Sequence, residues 1–160
     1  MTNQKQQDVA SKKSDRMYVL LIVALAISFI AMDFLSLVQV NTLGDFYLNL
    51  SNTYMALLMV FSMAIIMIAV MWRMFKNKKL SVALLVIFAL LFGGSFYLAR
   101  TETLVGNEAF LKSMIPHHSR AILVCQESNI TDPEIVSLCQ EIVKSQQREI
   151  NQMKDILKRY

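Results

Sequence analysis

Three side chains able to hold a soft metal ion fall within five residues, in the run Met114-Ile115-Pro116-His117-His118. On a helix Met114 shares a face with His117 and His118, at i+3 and i+4, while the two imidazoles point about 100° apart. Pro116 has no N–H to offer the Lys112 carbonyl and predicts a kink or opening of the helix beside the pair. Further along, Gln146-x-x-Glu149-Ile150-x-x-Met153 sets an amide, a carboxylate and a second thioether on or beside a face that should be apolar. Imidazole combined with thioether favours copper, Cu(I) above all, over zinc, magnesium or calcium. Buried polar groups without partners cost about 1–3 kcal/mol each. These residues therefore call either for an ion or for an inter-helix hydrogen-bond network, and both readings stay open.

Two other sets of sulfur atoms stand out. Met55, Met59, Met63, Met67 and Met71 recur at every fourth position. Each step of four advances a helix by about 400°, so the ladder winds by roughly 160° along its length. It is either flexible apolar filler or a track that passes Cu(I) from sulfur to sulfur. Cys125 and Cys139 flank a predicted turn and should lie close together. They form a disulfide, worth roughly 3 kcal/mol in the chain-entropy model for a loop of about fifteen residues, or a soft metal pair, or two buried thiols. Enzyme chemistry finds no support. The chain has no Glu-x-x-His motif for a di-iron bundle, no Gly-x-Ser-x-Gly elbow and no phosphate-binding glycine loop.

The elements that must position the His/Met group are helices. From about Asn107, Phe110, Met114, His117, Ala121 and Cys125 recur at steps of three and four, with Leu111, Ile115, His118 and Ile122 beside them. Glu127-Ser128-Asn129 ends that run. Thr131-Asp132-Pro133-Glu134 then gives a capping-box spacing with Pro near the first helical position. The following helix carries Ile135, Leu138, Cys139, Ile142, Gln146, Ile150, Met153 and Leu157 on one side, and Glu141, Lys144, Arg148 and Lys154 on the other. So short a turn implies an antiparallel hairpin. Centred near residue 130, it would set Met114 and His117 opposite the Gln146 region. Two helices of about fifty residues cannot enclose a core, because each apolar stripe is wider than one partner covers. Pairing with a second copy into a four-helix bundle is the expected solution, as a homodimer or a higher even oligomer. Packing against the chain's own apolar helices is disfavoured, since few residues connect Leu98 to Asn107.

The rest of the 160 residues explains where such a hairpin sits. The chain is 55% hydrophobic, with a mean hydropathy of +0.43. Three apolar runs, Met17 to Val38, Tyr54 to Phe75 and Leu80 to Leu98, each supply the ~20 residues that a helix needs to cross a bilayer. Asp33 is the only acid within them and falls near one end. Lys5, Lys12, Lys13 and Arg16 precede the first run, and Arg73, Lys76, Lys78 and Lys79 separate the second from the third. The segment between the first two runs has no basic residue. By the positive-inside rule the N-terminus and the 73–79 loop face the cytoplasm and the hairpin lies outside. The first run is too long for a signal-peptide core and lacks a small-x-small cleavage site, so it is read as a retained helix. The net charge of +4 resides entirely in the apolar half, which argues against nucleic acid as a partner. The expected organisation is a cytoplasmic tail (1–16), a three-helix transmembrane domain (17–99) and an extracytoplasmic hairpin (107–160).

Taken together, Phe110-x-x-x-Met114-Ile-Pro-His-His118, the turn with Asp132-Pro133, and Gln146-x-x-Glu149-Ile-x-x-Met153 resemble the domain-of-unknown-function family numbered 305. The resemblance covers about residues 107–158. It implies a ferritin-like, all-α fold in which helical hairpins assemble into four-helix bundles, a membrane-anchored branch for the three-helix leader, and kinship with periplasmic copper-binding members. Carried over, it implies Met114, His117, His118 and Met153 as metal ligands, with Gln146 and Glu149 as supporting or alternate groups. The chain departs from the soluble copper-binding members at Val124, where they tend to carry another Met. The expected function is extracytoplasmic copper capture, buffering or resistance at a bacterial plasma membrane. The alternatives are a metal-free oligomerisation module and a copper conduit along the Met ladder.

Overall fold

A computed structural model describes the backbone of residues 2–160 and the side chains from Arg16 onward, Ser36 apart. The described chain is all-helical. Five helices, α1 (Thr2–Leu35), α2 (Leu50–Val70), α3 (Lys78–Thr101), α4 (Asn107–Glu127) and α5 (Pro133–Leu157), follow one another, with two short 3-10 turns at Ser36–Gln39 and Leu43–Asp45. The backbone of α1 is helical through the segment expected to be a cytoplasmic tail. The side chains of Lys5, Lys12 and Lys13 in that tail lie outside the described residues. Three stretches are long and apolar enough to cross a membrane, Arg16–Gln39, Leu50–Val70 and Lys78–Thr101, with mean hydropathies of 2.5, 2.4 and 2.4.

The chain divides into two compact units. The first contains α1 as far as Met32 together with Tyr54–Thr101. Its core is built from Tyr18, Leu21 and Leu25 of α1, Val60, Ala64 and Ile68 of α2, Phe75, and Phe88 of α3. Val60, Ala64 and Ile68 are four apart and so form one stripe on α2. Tyr18 stacks on Phe75, with ring centroids 4.8 Å apart. Its hydroxyl donates to the Asn77 carbonyl at 2.9 Å and lies 2.9 Å from Ser81 Oγ, giving the one polar end of that side chain its partners. The Met ladder divides as its winding requires. Met63, Met67 and Met71 pack against the core, while Met55 and Met59 are exposed.

The second unit is larger than the expected hairpin, because it joins Asp33–Thr53 to Glu102–Tyr160. Helices α4 and α5 pack against each other, and both 3-10 turns of the 33–53 segment pack on α4. The core is Ile115 and Ile122 of α4 with Ile150 of α5, lined by Tyr47, Val143, Met153 and Leu157. Tyr47 comes from the segment that sequence reasoning treated only as a loop without basic residues. The hairpin's apolar stripe thus finds part of its cover within the same chain.

Local signals account for some of the element ends. Asp132, not Thr131, caps α5: its Oδ1 accepts from the backbone N–H of Glu134 at 2.9 Å and of Ile135 at 3.2 Å, with Pro133 in the first turn. At the start of α2, Asn49 Oδ1 accepts from the Asn52 N–H at 2.9 Å. Asp33, the acid near the end of the first apolar run, accepts from Asn52 Nδ2 at 3.1 Å and Thr53 Oγ1 at 3.2 Å. The link into α4 holds Glu102 and Leu104 in the left-handed region, with φ of 47° and 69°. Such a conformation is disfavoured for residues with a Cβ, and Glu102 there accepts from Ser51 Oγ at 2.6 Å.

Candidate functional site

The hairpin brings some of the expected ligands together. Helix α4 runs uninterrupted through Pro116, which is buried, so the expected opening beside the His pair does not occur. His118 turns toward α5, and its Nδ1 lies 3.0 Å from Glu149 Oε2. His117, one residue earlier and about 100° around the helix, is exposed. The two rings meet edge to face at a centroid distance of 5.9 Å.

Partners across the hairpin differ from those expected. His118, rather than His117, faces the Gln146 and Glu149 side chains. Toward the tip of the hairpin Cys125 and Cys139 are joined in a disulfide, with a Cα–Cα distance of 5.4 Å. At the open end Asn107 Nδ2 donates to the Tyr160 hydroxyl at 3.1 Å. Met114 precedes His118 by one helical turn, and Met153 follows Glu149 by one turn. In an antiparallel pair of helices, this spacing sets the two thioethers level with each other, one turn from the imidazole and carboxylate. Met153 also lines the isoleucine core.

The electrostatics of His118 decide what the arrangement can do. Its side chain is 14% exposed, and burial lowers its pKa below the ordinary 6.5. The nearby His117 acts in the same direction, while the Glu149 charge and the polar ends of the Gln146 and Glu149 side chains oppose it without cancelling it. The ring is thus held toward its neutral form, which is the form a metal binds. Although Nδ1 and the Glu149 carboxylate are close, their alignment is poor. Nδ1 is a buried ring nitrogen with no hydrogen-bond partner. A neutral imidazole with an unsatisfied nitrogen, a carboxylate at hand and two thioethers one turn away suits a soft or borderline ion. Among the described residues no three His, Cys, Asp or Glu side chains gather around a common point. An ion held there would need thioether, amide or donors from outside this chain to complete its set.

His117 has a separate setting. Phe110, His117 and Val124 are seven residues apart and so lie on one face of α4. Phe110 and Val124 are 50% and 52% exposed. On α5, Ile135 and Leu138 are similarly uncovered. One imidazole is partly buried against α5, and the other sits in the middle of an exposed apolar stripe.

A group that sequence reasoning missed lies beside the site. Asp45, in the second 3-10 turn, is buried. Its Oδ2 accepts from Ser119 Oγ at 2.6 Å, and its Oδ1 lies 2.5 Å from Lys154 Nζ. Ser119 Oγ in turn accepts from the Asn41 N–H at 2.8 Å. Burial by itself would raise the Asp45 pKa. The hydrogen bonds from Lys154, Ser119 and Thr42, joined by the Lys154 charge, outweigh it and leave the carboxyl below the ordinary carboxylate value. The available signal was faint: an isolated acid beside Phe46-Tyr47 in a segment without helical periodicity.

Comparison with known proteins addresses the hairpin first. Residues 98–157 match the family described as Domain of unknown function (DUF305). The chain is also 34% identical over 119 residues to "Uncharacterized protein L153" of Acanthamoeba polyphaga mimivirus, an alignment covering 73% of this chain and 76% of the relative. That alignment is longer than the family segment, so the likeness extends into the apolar helices. No solved structure matches. With the His-His and Gln/Glu/Met motifs inside the matched segment, the chain belongs to the DUF305 family.

Proposed function

We propose that the protein is a membrane-anchored, extracytoplasmic metal-binding protein that captures or buffers copper, Cu(I) in preference. His118 and Met153 are its primary ligands, with Met114 and His117 completing the set and Gln146 and Glu149 in support. The observation that carries this reading is the buried His118 Nδ1, without a hydrogen-bond partner although Glu149 is 3.0 Å away. An unsatisfied buried nitrogen costs about 1–3 kcal/mol, and a coordinated ion removes that cost. When bound, the ion supplies ligand exchange and storage rather than a reaction on a substrate. The three apolar helices and the basic residues at 73–79 support an N-in, C-out anchor. The Cys125–Cys139 disulfide supports an oxidising outer compartment.

A two-fold bundle of hairpins belongs to the same reading. The stripe Phe110–His117–Val124 is where a second copy would dock, which would turn His117 inward and bring donors from a neighbouring helix. The test is titration of Cu(I) into the purified full-length protein beside His118→Ala and His117→Ala variants. Tight binding by wild type and clear weakening in His118→Ala is expected. The same weak binding by all three would sink the proposal.

The 3.0 Å approach of His118 to Glu149 favours a second reading, a metal-free polar contact that fixes the register of the bundle. It predicts that His118→Ala lowers stability and leaves copper uptake unchanged.

A further inference from the structure

We infer that Asp45 is a positioning residue for the metal ligands, which makes the segment linking α1 to α2 a working part of the site. This rests on the copper reading of His118 and Met153 and adds to it a residue from outside the matched family segment.

Ser119, which donates to Asp45 Oδ2 at 2.6 Å, immediately follows His118 on α4; Lys154, whose Nζ lies 2.5 Å from Oδ1, immediately follows Met153 on α5. One carboxylate, 6% exposed, therefore grips both helices, each at the residue next to a proposed ligand. Neighbouring residues on a helix are fixed about 100° apart. Holding Ser119 and Lys154 thus fixes the rotation of each helix about its axis, and with it the direction of His118 and Met153. The tolerance is small: a rotation of about 5° moves a side-chain tip ~6 Å from the axis by roughly 0.5 Å, while metal–ligand distances are held to about 0.2 Å.

Adhesion alone would not require a charge. Tyr47 of the same segment already packs on the Ile115–Ile122–Ile150 core, and well-packed apolar contacts stabilise at least as well as buried ion pairs. What a carboxylate adds is direction, because each oxygen accepts along a defined line. The Asn41 N–H, 2.8 Å from Ser119 Oγ, ties the loop backbone to the same hydroxyl.

The test uses the full-length protein in detergent, with Cu(I) affinity read by competition against bicinchoninate and the ligand shell read by X-ray absorption. Asp45→Ala is expected to weaken Cu(I) binding by about 10–100-fold, the usual effect of removing a group that orients a ligand, and to change the sulfur-to-nitrogen ratio around the ion. Asp132→Ala serves as the stability control. It removes the cap on the Glu134 and Ile135 N–H groups and leaves the Asp45 contacts in place, so its affinity should stay within about twofold of wild type. If Asp45→Ala does not fold, the isosteric Asp45→Asn takes its place, with a smaller loss in the same direction. Wild-type affinity in the Asp45 variant, with copper still bound through His118, overturns the positioning role alone. An equal loss in Asp132→Ala overturns it as well, since the effect is then one of stability. Failure of the wild type to bind Cu(I), or full binding by His118→Ala, overturns the copper reading itself.

Discussion

Replacing Asp45 by Ala should loosen the hairpin even without metal, and the structure sets the size of the effect. Ser119 is fully buried, so losing its acceptor removes a hydrogen bond to a charged group, worth about 1.5–3 kcal/mol. Lys154 is 32% exposed and regains water, so its share is that of a partly screened pair, about 1 kcal/mol at most. Together they give a loss of about 3 kcal/mol, roughly two decades in an opening equilibrium. Amide hydrogen exchange along α4, read by mass spectrometry where reclosing is fast compared with chemical exchange, measures that equilibrium locally and needs no global unfolding. The pH dependence gives a second handle. The folded Asp45 carboxyl has a lowered pKa: burial opposes ionisation, but the Lys154, Ser119 and Thr42 contacts outweigh it. A lowered folded pKa means that the stabilisation is complete above the unfolded value, near 3.9. It is lost as pH falls through the folded value. After correction for intrinsic exchange, α4 protection in wild type should be level down to about pH 5 and fall below it; Asp45→Asn should lack that component. A loss under about 0.5 kcal/mol, as for an exposed ion pair, or an unchanged acid limb in Asp45→Asn, would refute the reasoning.

Other consequences can be checked alongside. Replacing Cys125 and Cys139 together by Ser should cost the hairpin roughly 3 kcal/mol in the chain-entropy account, visible as earlier proteolysis of α5 and reproduced in wild type by reductant. Ile150→Ala empties a fully buried position and should cost about 2–5 kcal/mol, measured by hydrogen exchange of α5. Leu138 is 55% exposed in the single copy, so Leu138→Ala should cost under about 0.5 kcal/mol there; a second copy seated on the stripe would raise that cost. Light scattering on the detergent-solubilised protein should give an even oligomer for wild type and a smaller species for Ile135→Asp with Leu138→Asp. A wild-type monomer at micromolar concentration counts against the two-fold bundle.

How much could be read in advance follows the range of each signal. Helices α4 and α5, their turn and the Asp132-Pro133 start of α5 were legible because periodicity and capping act within a few residues. Partner positions farther from the turn than the two cysteines were not. The expected register assumed a symmetric turn, whereas Asn129–Asp132 is non-helical and carries the chain onward before α5 starts. Cys125 still meets Cys139, but it is His118, not His117, that faces α5, and it meets Glu149. Asp45 was illegible for a stronger reason. Its partner Ser119 lies 74 residues away, and a lone carboxylate in a polar segment reads as solvated whether or not it is.

That same omission bears on the assembly. Two helices leave a stripe too wide for either to cover, and the sequence alone points to a second copy for the whole excess. The 33–53 segment takes one flank of it: Tyr47 lies on the isoleucine core, and Asp45 holds Ser119 and Lys154. What stays uncovered on α4 is the narrower line through Phe110, His117 and Val124, continued on α5 by Ile135 and Leu138. A narrow line suits a two-helix seam across a two-fold axis better than burial on all sides. It also gives the two histidines separate duties. In the proposed copper site His118, held inside one hairpin, would supply an anchoring nitrogen, and His117 would become a ligand only where a second copy brought its own donors. Copper stoichiometry should therefore depend on protein concentration in a way that single-site binding by isolated hairpins would not. Titrations above and below the dissociation point of the oligomer, giving the same copper per chain at both, would remove His117 from the site.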